Sequence, residues 1–178
     1  MAALEYFDDV EDPQLRANVD TGKAELLCEI GEWAGAFDFG MQVDTMVNWQ
    51  GIWYALTAAA WLGDLAKAEL ASDALEGREV FPAIDRYAEA IRLGLEGKIE
   101  EAAAAFLEVQ EAWEVRLLDD DLATIRAVFA RVVGPENPAA AEAARAAHDW
   151  LVQTGTRSLL AAWAPVLPED ATFRSAAG

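Results

Sequence analysis

The chain contains one cysteine, one histidine and only 13 basic side chains against 32 acidic ones in 178 residues. Each shortage closes off a class of function. A single Cys cannot build an internal disulfide framework, and one Cys with one His cannot form a His/Cys zinc site. A formal charge of −19 repels phosphate backbones and anionic lipid surfaces, so neither nucleic acid nor membrane is expected as a direct partner. No uninterrupted apolar run reaches the ~18 residues of a membrane span. The opening Met1-Ala2-Ala3-Leu4-Glu5-Tyr6-Phe7-Asp8-Asp9 lacks a basic segment leading into an apolar one, and a cytoplasmic setting is the expectation. A glycine-rich phosphate loop with its lysine, a Gly-x-Ser-x-Gly elbow and paired histidines are all missing from the sequence.

What is present has a direction. Hydrophobic residues make up 54% of the chain, enough apolar surface to offset chain entropy, and the length suits one domain over 1–178. Alanine dominates, followed by Leu, Glu and Arg, all strong helix formers, while β-branched residues are thinly scattered. No stretch alternates apolar and polar residues for long enough to argue a sheet. The fold class read from this is all-α.

Three hexapeptides then align: Gly31-Glu32-Trp33-Ala34-Gly35-Ala36, Gly63-Asp64-Leu65-Ala66-Lys67-Ala68 and Gly97-Lys98-Ile99-Glu100-Glu101-Ala102, spaced 32 and 34 residues apart. A degenerate fourth copy is Gly134-Pro135-Glu136-Asn137-Pro138-Ala139. The glycine can end one helix in a left-handed conformation, the following residues open the next, and the alanine lets two helices approach closely. Before each glycine lies a stretch with helical apolar spacing, such as Ile84, Tyr87, Ile91 and Leu95. Partner helices are predicted over roughly 33–46, 65–76, 99–115 and 139–153, with a last helix over 157–164 and a tail over 165–178. The repeats read as approximately 14–46, 47–79, 80–116 and 117–153, each a helix–turn–helix unit of a stacked array.

Few residues invite a catalytic reading. Asp119-Asp120-Asp121 precede Leu122 and read as a helix cap with an acidic first turn, since no calcium-type loop follows them. Cys28 and His148 fall in different repeats, which stacking holds apart, so a Cys–His nucleophile pair is not expected. Cys28 reads as a small buried hydrophobe. The chain is read as neither an enzyme nor a cofactor or metal binder.

The hexapeptides resemble the tetratricopeptide repeat at its turn glycine and at the small residue opening the second helix, and Phe106 after Ala102 matches the aromatic four places on. Gly40 and Ser72 stand where that aromatic is expected, and Leu56 replaces a small residue. The last pair, followed by Thr154-Gly155-Thr156-Arg157-Ser158, is similar to the helical-repeat ends of multidomain actinobacterial regulators carrying an ATPase, cyclase or DNA-binding module. The resemblance implies a right-handed α–α superhelix of about four helix pairs plus a terminal helix, whose first helices line a concave groove. Offsets from the turn glycines place Asn18, Thr21, Glu25, Gln50, Trp53, Thr57 and Tyr87 in that groove. For Trp53 the core reading comes ahead of the groove, because aromatics at helical spacing usually fill the space between helices.

The function this supports is a non-catalytic segment mediating protein–protein interaction or regulation, at the carboxyl end of a larger signalling or transcriptional regulator. The expected partner is a protein or peptide with a basic or apolar-aromatic surface. An effector-sensing domain with an aromatic pocket is the alternative. Leu4, Tyr6, Phe7 and Val10 give the amino end an apolar character, and a second copy of the chain is expected to meet it there.

Overall fold

The first helix shows how locally the architecture is encoded. The Asp12 carboxylate accepts the backbone N–H groups of Gln14 and Leu15 at 2.9 Å each, and Pro13 occupies the first turn, where its missing N–H costs nothing. Eighteen residues later the helix ends on Gly31 at φ 80°, whose N–H returns to the Cys28 carbonyl. The same left-handed glycine recurs at Gly63, Gly97, Gly134 and Gly155, so every expected turn is present, including the degenerate fourth.

The computed structural model describes residues 12–43, 48–76, 82–114 and 119–168. Among them are α1 Pro13–Ile30, α2 Trp33–Gln42, α3 Gln50–Leu62, α4 Leu65–Asp73, α5 Pro82–Leu95, α6 Ile99–Glu114, α7 Asp119–Val133, α8 Pro138–Thr154 and α9 Arg157–Trp163. The described residues contain no strand, and the protein is all-α. The amino-terminal residues Leu4, Tyr6, Phe7 and Val10 lie outside the described residues, as does most of the expected tail. Two helices are shorter than the sequence suggests. The α2 helix stops at Gln42 where Val43 turns extended, and α4 stops at Asp73.

Successive helices double back at the glycine turns and pack as α1–α2, α3–α4, α5–α6 and α7–α8. The hexapeptide alanines Ala36, Ala68 and Ala102 are wholly buried in these pairs. The odd positions in the pattern have steric causes. Gly40 stands in place of an aromatic because α2 crosses α3 at backbone contact. A Cβ there would fall 2.5 Å from the Gly51 carbonyl oxygen, and one on Gly51 would fall 2.4 Å from Val43 Cβ.

In an open stack each pair touches only its neighbours. Here α7 also packs against α3, and α9 packs against α1. Arg131 of α7 donates from Nη2 to the Trp61 carbonyl at 3.1 Å, capping the end of α3 from across the molecule. The described helices thus fold inward over the face that a superhelix would leave open. That closure decides what kind of site the inner layer can form.

Candidate functional site

An aromatic column fills the middle of the inner layer. The Trp53 ring lies between Tyr87, at 4.3 Å between centroids, and Trp113, at 5.0 Å. Tyr87 meets Phe106 edge-on at 6.1 Å, and Phe106 stacks on Phe129 at 5.0 Å. The polar end of Tyr87 is satisfied inside this core, where its hydroxyl and that of Thr57 lie 3.0 Å apart. Rings at these separations in offset or edge-on arrangement add to the burial that holds α3, α5, α6 and α7 together.

These contacts correct part of the groove expected from the turn offsets. Tyr87 is fully buried, Thr57 is 1% exposed and Trp53 is 2% exposed, so none of the three presents a free concave surface. Thr21 is buried as well. Asn18 and Gln50 are exposed at the surface, where the Asn48 side chain donates to Asn18 at 3.4 Å and accepts the Gln50 backbone N–H at 3.0 Å. The offsets assume an open inner face. In the closed arrangement Thr21, Trp53, Thr57 and Tyr87 fall between helices, while Asn18, Glu25 and Gln50 stay exposed.

One part of the inner face is left unfilled. A cavity of about 250 Å³ lies where α1, α3, α7 and α9 converge, with α2 and α8 completing its wall. Glu25, Trp53 and Thr57 from the expected set border it, whereas Asn18, Thr21, Gln50 and Tyr87 do not. The remaining aromatic wall comes from Trp33, Tyr54, Trp150 and Trp163. The sequence pattern offered no route to the last two, because they enter only through the packing of α9 onto α1 and α8. Asp120 and Asp121 also face the cavity. Their place in the first turn of α7 accounts for them locally, and nothing in the run announced a second role.

The electrostatics of the cavity are one-sided. Glu25, Glu29, Asp120 and Asp121 border it, and no lining side chain is basic. Burial pushes the Glu25 carboxyl above its ordinary range, and Glu29, Asp120 and Asp121 push it further, against a stabilising hydrogen bond from the Tyr54 hydroxyl. Burial also raises Asp121, and Asp120 adds to it, while Trp113 Nε1 donates to Asp121 Oδ2 at 3.3 Å and opposes the shift. The Tyr54 hydroxyl is raised by burial and then by Glu25 and Asp121. Burial first, then Glu25 and Glu29, hold Cys28 as a neutral thiol, which removes it as a nucleophile.

No three His, Cys, Asp or Glu side chains among the described residues are arranged to share a metal ion. The site has aromatic walls and four carboxylates, and its one thiol is held neutral. No protein-family model matches this chain, and no curated protein or solved structure matches it either. No described helix is long and apolar enough to cross a membrane.

Proposed function

We propose that the chain is a non-catalytic helical-repeat domain of the tetratricopeptide-like kind, serving as a regulatory segment of a larger signalling or transcriptional regulator, and that it senses a small ligand in its inner cavity. One observation carries the reading. A space of about 250 Å³ lies between α1 and α9, the first and last described helices, with α3 and α7 beside them. Pockets for drug-sized ligands span roughly 300–1,000 Å³, so this one suits a compact ligand and not an extended peptide. A ligand there touches α1, α3, α7 and α9 together, and its binding energy is spent on the closure itself. That is the arrangement by which occupancy biases a conformation.

The test is calorimetric titration of the chain with neutral, anionic and cationic metabolites, repeated on the cavity-filling variant Leu159→Trp. Saturable binding lost in the variant supports the reading. Absence of binding across the panel, or binding untouched by the variant, refutes it.

A second reading, interaction with a protein partner, is favoured by a different surface. Leu15, Leu26 and Ile30 are 53%, 43% and 55% exposed, and their spacing sets them along one side of α1. A partner of basic or apolar-aromatic surface, or a second copy of the chain, would cover that side. Ile30→Asp should then dissociate such a complex in sedimentation experiments without altering the cavity.

A further inference from the structure

We infer that the inner cavity is a site for a small organic cation, an alkylammonium group whose charge is met by Glu25 and Asp121 and whose apolar body lies against Trp150 and Trp163. The inference rests on the ligand-sensing reading and adds the chemical class of the ligand.

Three observations on the cavity converge. Its walls carry Trp33, Tyr54, Trp150 and Trp163, with Trp53 stacked between Tyr87 and Trp113 behind them, and the faces of aromatic rings are the negative ends of their quadrupoles, which attract a cation within about 6 Å of the centroid. Its other polar wall is carboxylate, with four acids and no basic side chain among the lining residues. An anion or a phosphate ester would meet like charge on both counts. A neutral apolar ligand would leave the like charges of the neighbouring carboxylates unanswered, and with burial these already hold the Glu25 and Asp121 protons more tightly than usual.

The choice between a metal ion and an organic cation follows from geometry. Hard cations need several oxygens converging at 2.3–2.6 Å, as a general rule for calcium, and no group of three or more ligand side chains does so among the described residues. Charge spread over a cavity wall, with aromatic surface between, suits a cation whose own charge is spread over alkyl groups. Weak hydration makes such an ion cheap to bring into an aromatic site, and each face it covers adds to the attraction. One of the carboxylates is also held in place for the task, since Trp113 Nε1 donates to Asp121 Oδ2 at 3.3 Å.

The cation could be free in solution or the side chain of a basic peptide, and the experiment separates the two. The full chain is titrated with choline, with its uncharged carbon isostere 3,3-dimethylbutan-1-ol, and with a capped tripeptide carrying trimethyl-lysine, following tryptophan fluorescence and heat. Choline should bind saturably and at least about tenfold more tightly than the isostere. Glu25→Gln and Asp121→Asn keep a hydrogen-bond acceptor for Tyr54 and Trp113, and each should reduce that preference for charge severalfold while leaving the fold intact by circular dichroism. Tighter binding of the tripeptide than of choline assigns the cation to a partner's side chain, and the reverse assigns it to a free metabolite; either supports a cation site. Equal binding of choline and its isostere overturns the cation assignment and leaves the cavity a ligand site. Failure of choline and the tripeptide alike also overturns it, and the neutral and anionic members of the metabolite panel then decide separately whether the cavity binds anything.

Discussion

The aromatic column and the aromatic cavity are built from the same residue types a few ångströms apart, yet they are different kinds of structure. In the column, Trp53, Tyr87, Phe106 and Phe129 have rings on rings, and the one buried hydroxyl pair closes on itself at 3.0 Å. In the cavity, Trp33, Trp150 and Trp163 border empty space beside carboxylates that repel one another. A row of aromatics therefore does not separate core from site. What separates them is whether the polar groups beside the rings are matched by partners within the chain. Trp53 belongs to both regions, with its faces in the column and an edge in the cavity wall, and Trp113 joins them by holding Asp121.

The largest expected effect tests which region owns Trp53. Trp53→Ala removes a ring packed between two others, and a loss of about 3–5 kcal/mol in denaturant unfolding is expected. A loss below ~1 kcal/mol would move Trp53 from the column into the site. Next comes the hydroxyl pair. Thr57→Val strands the Tyr87 hydroxyl in the core and should cost about 1–3 kcal/mol, whereas Thr57→Val with Tyr87→Phe should recover much of that loss, because neither variant position then carries an unpaired group. A double variant no better than the single would mean that the pair is not the sealed contact that defines the column. Trp150 stands on the other side of the comparison. It is half-buried on the cavity wall, so Trp150→Ala should cost only about 1 kcal/mol by lost apolar burial, while ligand affinity falls more than stability does.

Legibility in the sequence followed the range of the interactions. The turns were readable because a left-handed cap depends on a few neighbouring residues, as at Gly63, where Asp64 then accepts the Lys67 N–H at 3.1 Å to start α4. The buried alanines were readable for the same reason. Closure of the inner face was not, since it depends on α9 meeting α1 and on Arg131 reaching a carbonyl 70 positions away. Gly94 marks one of these long-range contacts: a Cβ there would fall 2.0 Å from Val132 Cγ1, so α5 and α7 approach closely at a residue the repeat pattern passes over. Most of the candidate site was lost with the same information. Counting from turns assigned Glu25, Trp53 and Thr57 to an open groove, whereas they border a cavity that Asp121, Trp150 and Trp163 reach only through tertiary packing.

The smallest expected effect is also the one that separates an acid set among other acids from an acid set among bases. Glu25 in the folded chain holds its proton above the usual carboxyl range, first through burial and then through Glu29, Asp120 and Asp121. A carboxyl raised in the folded state binds more protons there than in the unfolded chain, so its contribution to stability is fully present below the unfolded value and declines as pH rises through the folded one. At neutral pH the ionised Glu25 is therefore a burden on the fold. Glu25→Gln, which still accepts from Tyr54, should be slightly more stable than the parent near pH 7, and the gain should vanish on acidification through the ordinary carboxyl range. Glu96 has the opposite sign. Lys98 and then Arg92 hold its carboxyl below the usual range, with ion pairs of 2.7 Å to each, so Glu96→Gln should lose a little stability at neutral pH and nothing in acid. Melting temperatures of the two variants against pH would therefore diverge above the carboxyl range and converge below it. Choline added to the parent should close the gap to Glu25→Gln from the cavity side, because a bound cation supplies a positive charge that no described lining side chain carries. Variants that shift together, in the same direction at neutral pH, would remove the distinction between a site carrying unmatched charge and a surface carrying matched charge.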